Sequence, residues 1–195
     1  LECVKYFPAE PLGGAEAIKL LSGVFPKMKF IPTGGITKEH YKDYLKVKSI
    51  LAVGGGFMLD KAALANADYN QVGTSLTAVM QGLYNFRVKH IGINTNSESQ
   101  ALEVANRLSE LFNFKVNNRS KSIFSSEQIE VMKLNYYGEG GHIGIATDDV
   151  DRAYHYLLSK NVKFIDDTIA YDKDGLVSVA YIDEFLGGFA IHLMK

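Results

Sequence analysis

A single cysteine, Cys3, in 195 residues excludes an intrachain disulfide framework and suits a reducing compartment. Neither sign of charge is in excess: a net charge of −1 leaves no basic field to hold a nucleic acid or an anionic membrane. No apolar run approaches the roughly 18 residues of a membrane span, and no signal peptide opens the chain, so the expected location is the cytoplasm. Also missing are a G-x-x-x-x-G-K-[ST] loop, a C-x-x-C pair and a G-x-S-x-G elbow, the signatures of nucleotide, dithiol and serine-hydrolase chemistry. There is no initiator methionine, and the first residues read as a strand, which predicts a piece of a longer product.

What is present is apolar: 47% of the residues, enough to bury the core of one large domain or two small ones. Lys5 sits inside the run Cys3, Val4, Tyr6, Phe7. Either it lies on the wet face of a half-exposed strand, or it is a desolvated, nucleophilic amine. Two more apolar strands follow, Phe30-Ile31-Pro32-Thr33-Gly34-Gly35-Ile36 and Ile50-Leu51-Ala52-Val53-Gly54-Gly55-Gly56, each running into glycines. Helices are expected between them. The first enters through Gly13-Gly14 and turns Ala15, Ala17, Ile18, Leu20 and Leu21 inward. The second has Thr37 as N-cap and Tyr41, Tyr44 and Leu45 as inner face, and a third runs from Asn70 to Tyr84 on Val72, Leu76, Val79, Met80 and Leu83. Such alternation means parallel β/α units, whose chemistry collects at the C-terminal ends of the strands. Glycines there either admit an anion to backbone N–H groups or simply make tight turns.

The stretches Lys5-Tyr6-Phe7-Pro8-Ala9-Glu10, Gly13-Gly14, Phe30 to Ile36, Tyr41 to Tyr44-Leu45 and Val53-Gly54-Gly55-Gly56 resemble, in order and spacing, the C-terminal part of the 2-keto-3-deoxy-6-phosphogluconate (KDPG) and 4-hydroxy-2-oxoglutarate aldolases. The resemblance covers about residues 1 to 70. It implies a class I aldolase, with no cofactor, on a (β/α)₈ barrel of which this chain holds the last three β/α units. Lys5 then matches the Schiff-base lysine and Thr33 a substrate contact, while Gly34, Gly35 and Gly55 match backbone positions around the substrate phosphate. Gly56 stands where the best-known members carry serine, so a hydroxyl is lost from that phosphate site. The resemblance further implies a phosphorylated 2-keto acid substrate, pyruvate as product and a homotrimer. The family's glutamate base lies on earlier strands. Glu10 can reach the barrel mouth, but nothing matches it to that base. Three units cannot close a barrel, so this piece alone is expected to be inactive.

Composition shifts after Phe86-Arg87, giving expected domains of 1–86 and 88–195. In the second, His90-Ile91-Gly92-Ile93 recurs as His142-Ile143-Gly144-Ile145, each copy followed by an amphipathic helix, Ser97 to Phe112 and Asp148 to Lys160, and then by strand-like stretches. Two βαβββ units fit this pattern, an α+β arrangement. The pair resembles the vicinal oxygen chelate superfamily, which includes glyoxalase I, extradiol dioxygenases and fosfomycin-resistance proteins. With Ile91 and Ile93 toward the helices, alternation puts His90, His142 and His192 on the concave face. The resemblance implies one metal ligand on each of four strands. Three match as histidines, and the fourth, normally glutamate, matches Lys133. Three imidazoles suffice for a divalent zinc, nickel, iron or manganese ion, although an ammonium at the fourth position repels it. They can equally be hydrogen-bonded, or hold an anion with Lys133. Two functions follow: aldol cleavage by the first part, or activity or ligand binding by the second as a metal-dependent enzyme or a non-catalytic module. His40 and His155 read as ordinary surface residues on helices, and Asn135-Tyr136-Tyr137-Gly138 as a linker between repeats.

Overall fold

The structure, a computed structural model, describes residues 1–195 and divides into two compact units, Leu1–Leu83 and Tyr84–Lys195.

In the first unit, β1 (Cys3–Tyr6) pairs in parallel with β2 (Lys29–Pro32), aligning Lys5 with Ile31, and α1 (Gly14–Val24) connects them. The expected third strand keeps only isolated parallel bridges, Phe30 to Ile50 and Thr33 to Gly54. Leu51 N–H donates to Phe30 O at 3.0 Å and Gly54 N–H to Pro32 O at 3.0 Å, so the stretch is held at both ends without becoming a regular strand. The second helix is shorter than expected, α2 spanning Tyr41–Leu45. Thr37 is not its N-cap: the Thr37 hydroxyl lies 2.7 Å from His40 Nδ1, and His40 occupies the N-cap position without a side-chain cap bond. Beyond the third strand position, α3 (Lys61–Ala65) was not expected from periodicity. It is too short to show one and is started by Asp60, whose carboxylate accepts from the amides of Ala62 and Ala63. The long helix α4 (Tyr69–Tyr84) completes the unit.

One face of this small sheet is covered. Ala9, Ile18, Phe30, Ile36, Tyr41, Tyr44 and Ile50 form a core, with Val4, Tyr6, Val79 and Leu83 packed against it. The helices contribute narrower stripes than periodicity alone suggests: Leu20 is 75% exposed, and Leu76 and Met80 are also exposed. Phe7 and Leu51 are exposed too. A parallel sheet is normally covered on both sides.

The second unit is one eight-stranded sheet in the order β4-β5-β6-β3-β7-β10-β9-β8. Its first repeat is β3 (Arg87–Ile93), α5 (Glu98–Phe112), β4 (Val116–Asn118), β5 (Ser122–Ser125) and β6 (Ile129–Met132). The second is β7 (Gly141–Ala146), α6 (Val150–Ser159), β8 (Ala170–Tyr171), β9 (Val177–Leu186) and β10 (Phe189–Met194). Both repeats are therefore βαβββ, and they join where β3 and β7 pair antiparallel. The small and β-branched residues Ala101, Ala105, Ile123 and Val131 seat α5 on one face of the sheet. Ile91 shares that face but lies outside this cluster and stays 43% exposed, so it is not covered by a helix as expected. No helix of the chain is long and apolar enough to cross a membrane.

Candidate functional site

Strand register decides what Lys5 can meet. Partners across a parallel pair share a face, so Lys5, its neighbour Ile31 and, two residues on, Thr33 lie on the face opposite Val4, Tyr6 and Phe30. Lys5 is exposed, with Nζ 5.3 Å from the centroid of the Phe7 ring. Thr33 Oγ1 is buried without a hydrogen-bond partner. The strand ends are stitched together by Thr33 N–H to Tyr6 O at 2.9 Å, Ala9 N–H to Thr33 O at 2.8 Å and Glu10 N–H to Gly34 O at 3.1 Å.

The first glycine loop has a packing reason as well. Gly34 and Gly35 have φ of +95° and +81°, and added Cβ atoms would come within 2.9 Å of the Phe7 ring and 2.6 Å of Glu10 Cβ. The amides of Gly34, Gly35, Gly55 and Gly56 donate to no acceptor in the chain. Gly35, Thr37, Gly56, Phe57 and Lys61 line a pocket of about 500 Å³. A larger groove, about 860 Å³, lies between α1 and α2 and touches neither Lys5 nor Thr33.

Glu10 is turned toward that groove. Its carboxylate accepts a very short hydrogen bond from the Tyr44 hydroxyl and lies 3.0 Å from His40 Nε2. The Tyr44 bond, reinforced by His40, holds the Glu10 carboxyl below the usual carboxylate range. His40, expected to be an ordinary surface residue, instead bridges Thr37 and Glu10.

In the second unit, the repeated His-x-Gly builds the site by exchange. In the β3–β7 register His90 faces Gly144 and His142 faces Gly92. A Cβ on Gly92 would lie 2.1 Å from the His142 ring, and one on Gly144 2.5 Å from the His90 ring. Each glycine thus makes room for the histidine of the other repeat. His192 joins from β10, its ring stacked on Tyr181 at 4.6 Å. All three histidines are buried, and their nearest ring nitrogens lie within 4.8 Å of one another.

The fourth position is Glu130, not Lys133. Along β6 the buried Val131 faces α5, so Glu130 and Met132 face the histidines. Lys133, one residue past the strand, falls on the helix side and pairs with Glu98 of α5 at 2.6 Å. Glu130 Oε2 lies 3.2 Å from His142 Nε2 and 3.3 Å from His90 Nε2. The alternation Ile129-Glu130-Val131 carries the signal, since it puts Glu130 on the face opposite Val131 and Lys133 on the same face as Val131.

The donor set fits a metal ion. The Nε2 atoms of His90 and His142 are 3.0 Å apart, and those of His90 and His192 3.4 Å. Bonds of about 2.0–2.1 Å to a tetrahedral zinc would set such edges at about 3.3 Å. Burial holds His90 below its ordinary value and pushes His192 down to about 3, so both are neutral, the ligating form. Burial opposes ionisation of Glu130, but hydrogen bonds from His142 and Ser122 outweigh it and hold the carboxyl low. Ser122 Oγ donates to Glu130 Oε1 at 2.5 Å, leaving Oε2 for the cluster.

Residues 1–75 match the family model "Aldolase: KDPG and KHG aldolase". The 2-dehydro-3-deoxy-phosphogluconate aldolase of Dickeya dadantii is 46% identical over 68 residues, 35% of this chain and 32% of that protein. The crystal structure of KDPG aldolase from Legionella pneumophila, with pyruvate captured as a covalent carbinolamine, matches at 37% identity over 40% of this chain and 38% of its own (TM-score 0.39). The chain thus spans about a third of the length of the aldolases it matches. A single-residue variant of Streptomyces coelicolor methylmalonyl-CoA epimerase matches at 14% identity over 55% of this chain and 92% of its own (TM-score 0.40).

Proposed function

We propose that the first unit supplies the Schiff-base end of a class I aldolase that cleaves 2-keto-3-deoxy-6-phosphogluconate or 4-hydroxy-2-oxoglutarate to pyruvate and an aldehyde. What supports this is one arrangement: Lys5 and Thr33 on one sheet face, beside two glycine turns with free amides, within a segment 46% identical to such an aldolase. In this reading the Lys5 amine adds to the keto carbon and water leaves, forming an iminium. A base on the β/α units outside this chain takes the proton of the hydroxyl next to the breaking C–C bond, whose electrons flow into the iminium, giving an enamine and releasing the aldehyde. Protonation at carbon and hydrolysis then return pyruvate and free lysine. Glu10, engaged by Tyr44 and His40, steadies the loop after β1 and is not the proton shuttle. Further β/α units, in the same product or a partner, would enclose Lys5, and the reading includes a homotrimer in a reducing cytoplasm. Borohydride reduction of the full-length product with pyruvate, followed by peptide mapping, tests it. The expected result is one adduct, on Lys5, that Lys5→Ala abolishes; no adduct at Lys5 rejects the assignment.

A second activity is favoured by Glu130 closing the three-histidine cluster. The second unit then binds one divalent ion such as zinc, nickel, iron or manganese through His90, Glu130, His142 and His192, as a metal-dependent enzyme of the glyoxalase or dioxygenase type. The ion would supply Lewis acidity toward an oxygen-bearing ligand on the concave face. Ser122 and the two glycines hold the ligating side chains in place. Zinc titration followed by metal analysis should give one equivalent per chain, held at least about 10-fold more weakly in Glu130→Ala and unchanged in Lys133→Met. Equal loss in both variants, or no bound zinc, removes this reading and leaves a metal-free binding module.

A further inference from the structure

Beside the four ligating residues stands a polar group that the metal reading leaves unused. Tyr181 of β9 is the register partner of His192 on β10, so the two side chains leave the sheet on the same face. Their rings are stacked, 4.6 Å apart and 15° from parallel, and the phenol also packs edge-on against His142 at 6.2 Å. Tyr181 is only 7% exposed, and its backbone is held on both sides, by Tyr181 N–H to Thr168 Oγ1 at 3.0 Å and Ile165 N–H to Tyr181 O at 2.9 Å. Its hydroxyl makes no hydrogen bond within the chain, yet it is not sealed in. A phenol is longer than an imidazole, so this hydroxyl stands beyond the ring it is stacked on. The Asn135-Tyr136-Tyr137-Gly138 stretch is no loose linker either: Asn94 Nδ2 donates to Tyr136 O at 3.2 Å and Gly138 O at 2.8 Å. That sets the Tyr136 ring 6.4 Å from His142 and 6.0 Å from Tyr181, an apolar wall next to the unpaired hydroxyl.

Charge narrows what this arrangement accepts. Ligating imidazoles are neutral, so against a divalent ion the cluster sets only the single negative charge of Glu130. One positive charge is left over in a buried place, and a monoanion cancels it. A 2-keto acid brings one carboxylate, a keto oxygen adjacent to it, and lone pairs to spare for a hydroxyl donor. We infer that the second unit binds a 2-keto acid at the His90, Glu130, His142 and His192 cluster, with the Tyr181 hydroxyl donating to the ligand's oxygens and Tyr136 beside its carbon chain. The ligand then belongs to the class of compound that Lys5 condenses with, and one chain carries two sites for it in equal number. This rests on the metal reading of the cluster. Only the link to Lys5 rests on the aldolase reading as well.

The test is a titration of the cobalt(II)-loaded full chain with pyruvate, read in the visible spectrum of the cobalt, on a Lys5→Ala background that removes any covalent adduct. A saturable spectral change is expected. Propionate, which has the carboxylate and lacks the keto oxygen, should bind at least about 10-fold more weakly. Tyr181→Phe, which keeps the stacked ring, should weaken pyruvate about 10-fold, the worth of one hydrogen bond to a charged group, and leave the affinity for cobalt within about twofold. A cobalt spectrum that ignores pyruvate, propionate binding as tightly, or unchanged pyruvate affinity in Tyr181→Phe each overturns the inference and leaves the metal reading in place. No bound cobalt removes both. Borohydride trapping at Lys5 decides the aldolase reading separately, so pyruvate bound at the cobalt without a Lys5 adduct upholds the second unit's ligand and removes only its link to the first.

Discussion

Glu130 and Lys133 lie three positions apart and end on opposite faces of the sheet, one among imidazoles and one against α5. Reading parity from the buried Val131 outward separates them, since an odd number of steps along a strand changes face. The three histidines were legible because two of them head the repeated His-Ile-Gly-Ile and the third, His192, sits between Ile191 and Leu193. Ser122 was not, since a serine opening a strand of four residues has no pattern of its own. Its position is nonetheless specific: it is buried, and it fixes one oxygen of Glu130. Ser122→Ala should weaken zinc binding about 10-fold in a chelator competition, in keeping with the loss of a partner that orients a ligand, while leaving the circular dichroism spectrum unchanged. An affinity within twofold of the parent would mean that the histidines alone orient the carboxylate.

At the scale of elements, periodicity located the longer helices and the apolar strands but failed where an element is short or locally dictated. The stretch 50–53 has strand composition, yet only its ends are bridged. Thr37 has N-cap chemistry, but its hydroxyl meets His40 and the helix begins later. The strand β5 is four residues long and shows no alternation that polarity alone reveals. By contrast, β3 and β7 were legible as a repeat, and the structure supplies the reason for its glycines. Gly92→Ala should therefore do more than stiffen a strand. With a ring atom 2.1 Å from the new methyl, His142 must move. The expected outcome is an overpacking cost of about 1–3 kcal/mol in urea denaturation, together with loss of zinc binding. Gly73→Ala, in α4 with nothing within 4 Å of the added methyl, is the control that should cost neither.

At the scale of the whole molecule, two units with separate cores predict two unfolding transitions. A ligand that binds only the folded second unit should move one of them. At about 100 times its dissociation constant, zinc adds about 2.7 kcal/mol to that unit and nothing to the first. Calorimetry with and without zinc checks this. One transition should rise and the other stay, and His90→Ala should cancel the rise. A single transition shifting as a whole would show that the units unfold together. The order of β/α segments followed by paired βαβββ repeats was readable from the chain. That Phe7 and Leu51 of the first unit stay exposed was not, because sequence reports which residues are apolar and not which find a partner.

The exchange between His90 and Gly144, and between His142 and Gly92, makes the two repeats mutual lodgers. Each keeps a vacancy shaped for a ring that only its sibling provides. Neither copy can therefore drift to a larger residue at its glycine without evicting its twin's imidazole, and a halved version of the domain would hold an untenanted notch and a homeless histidine.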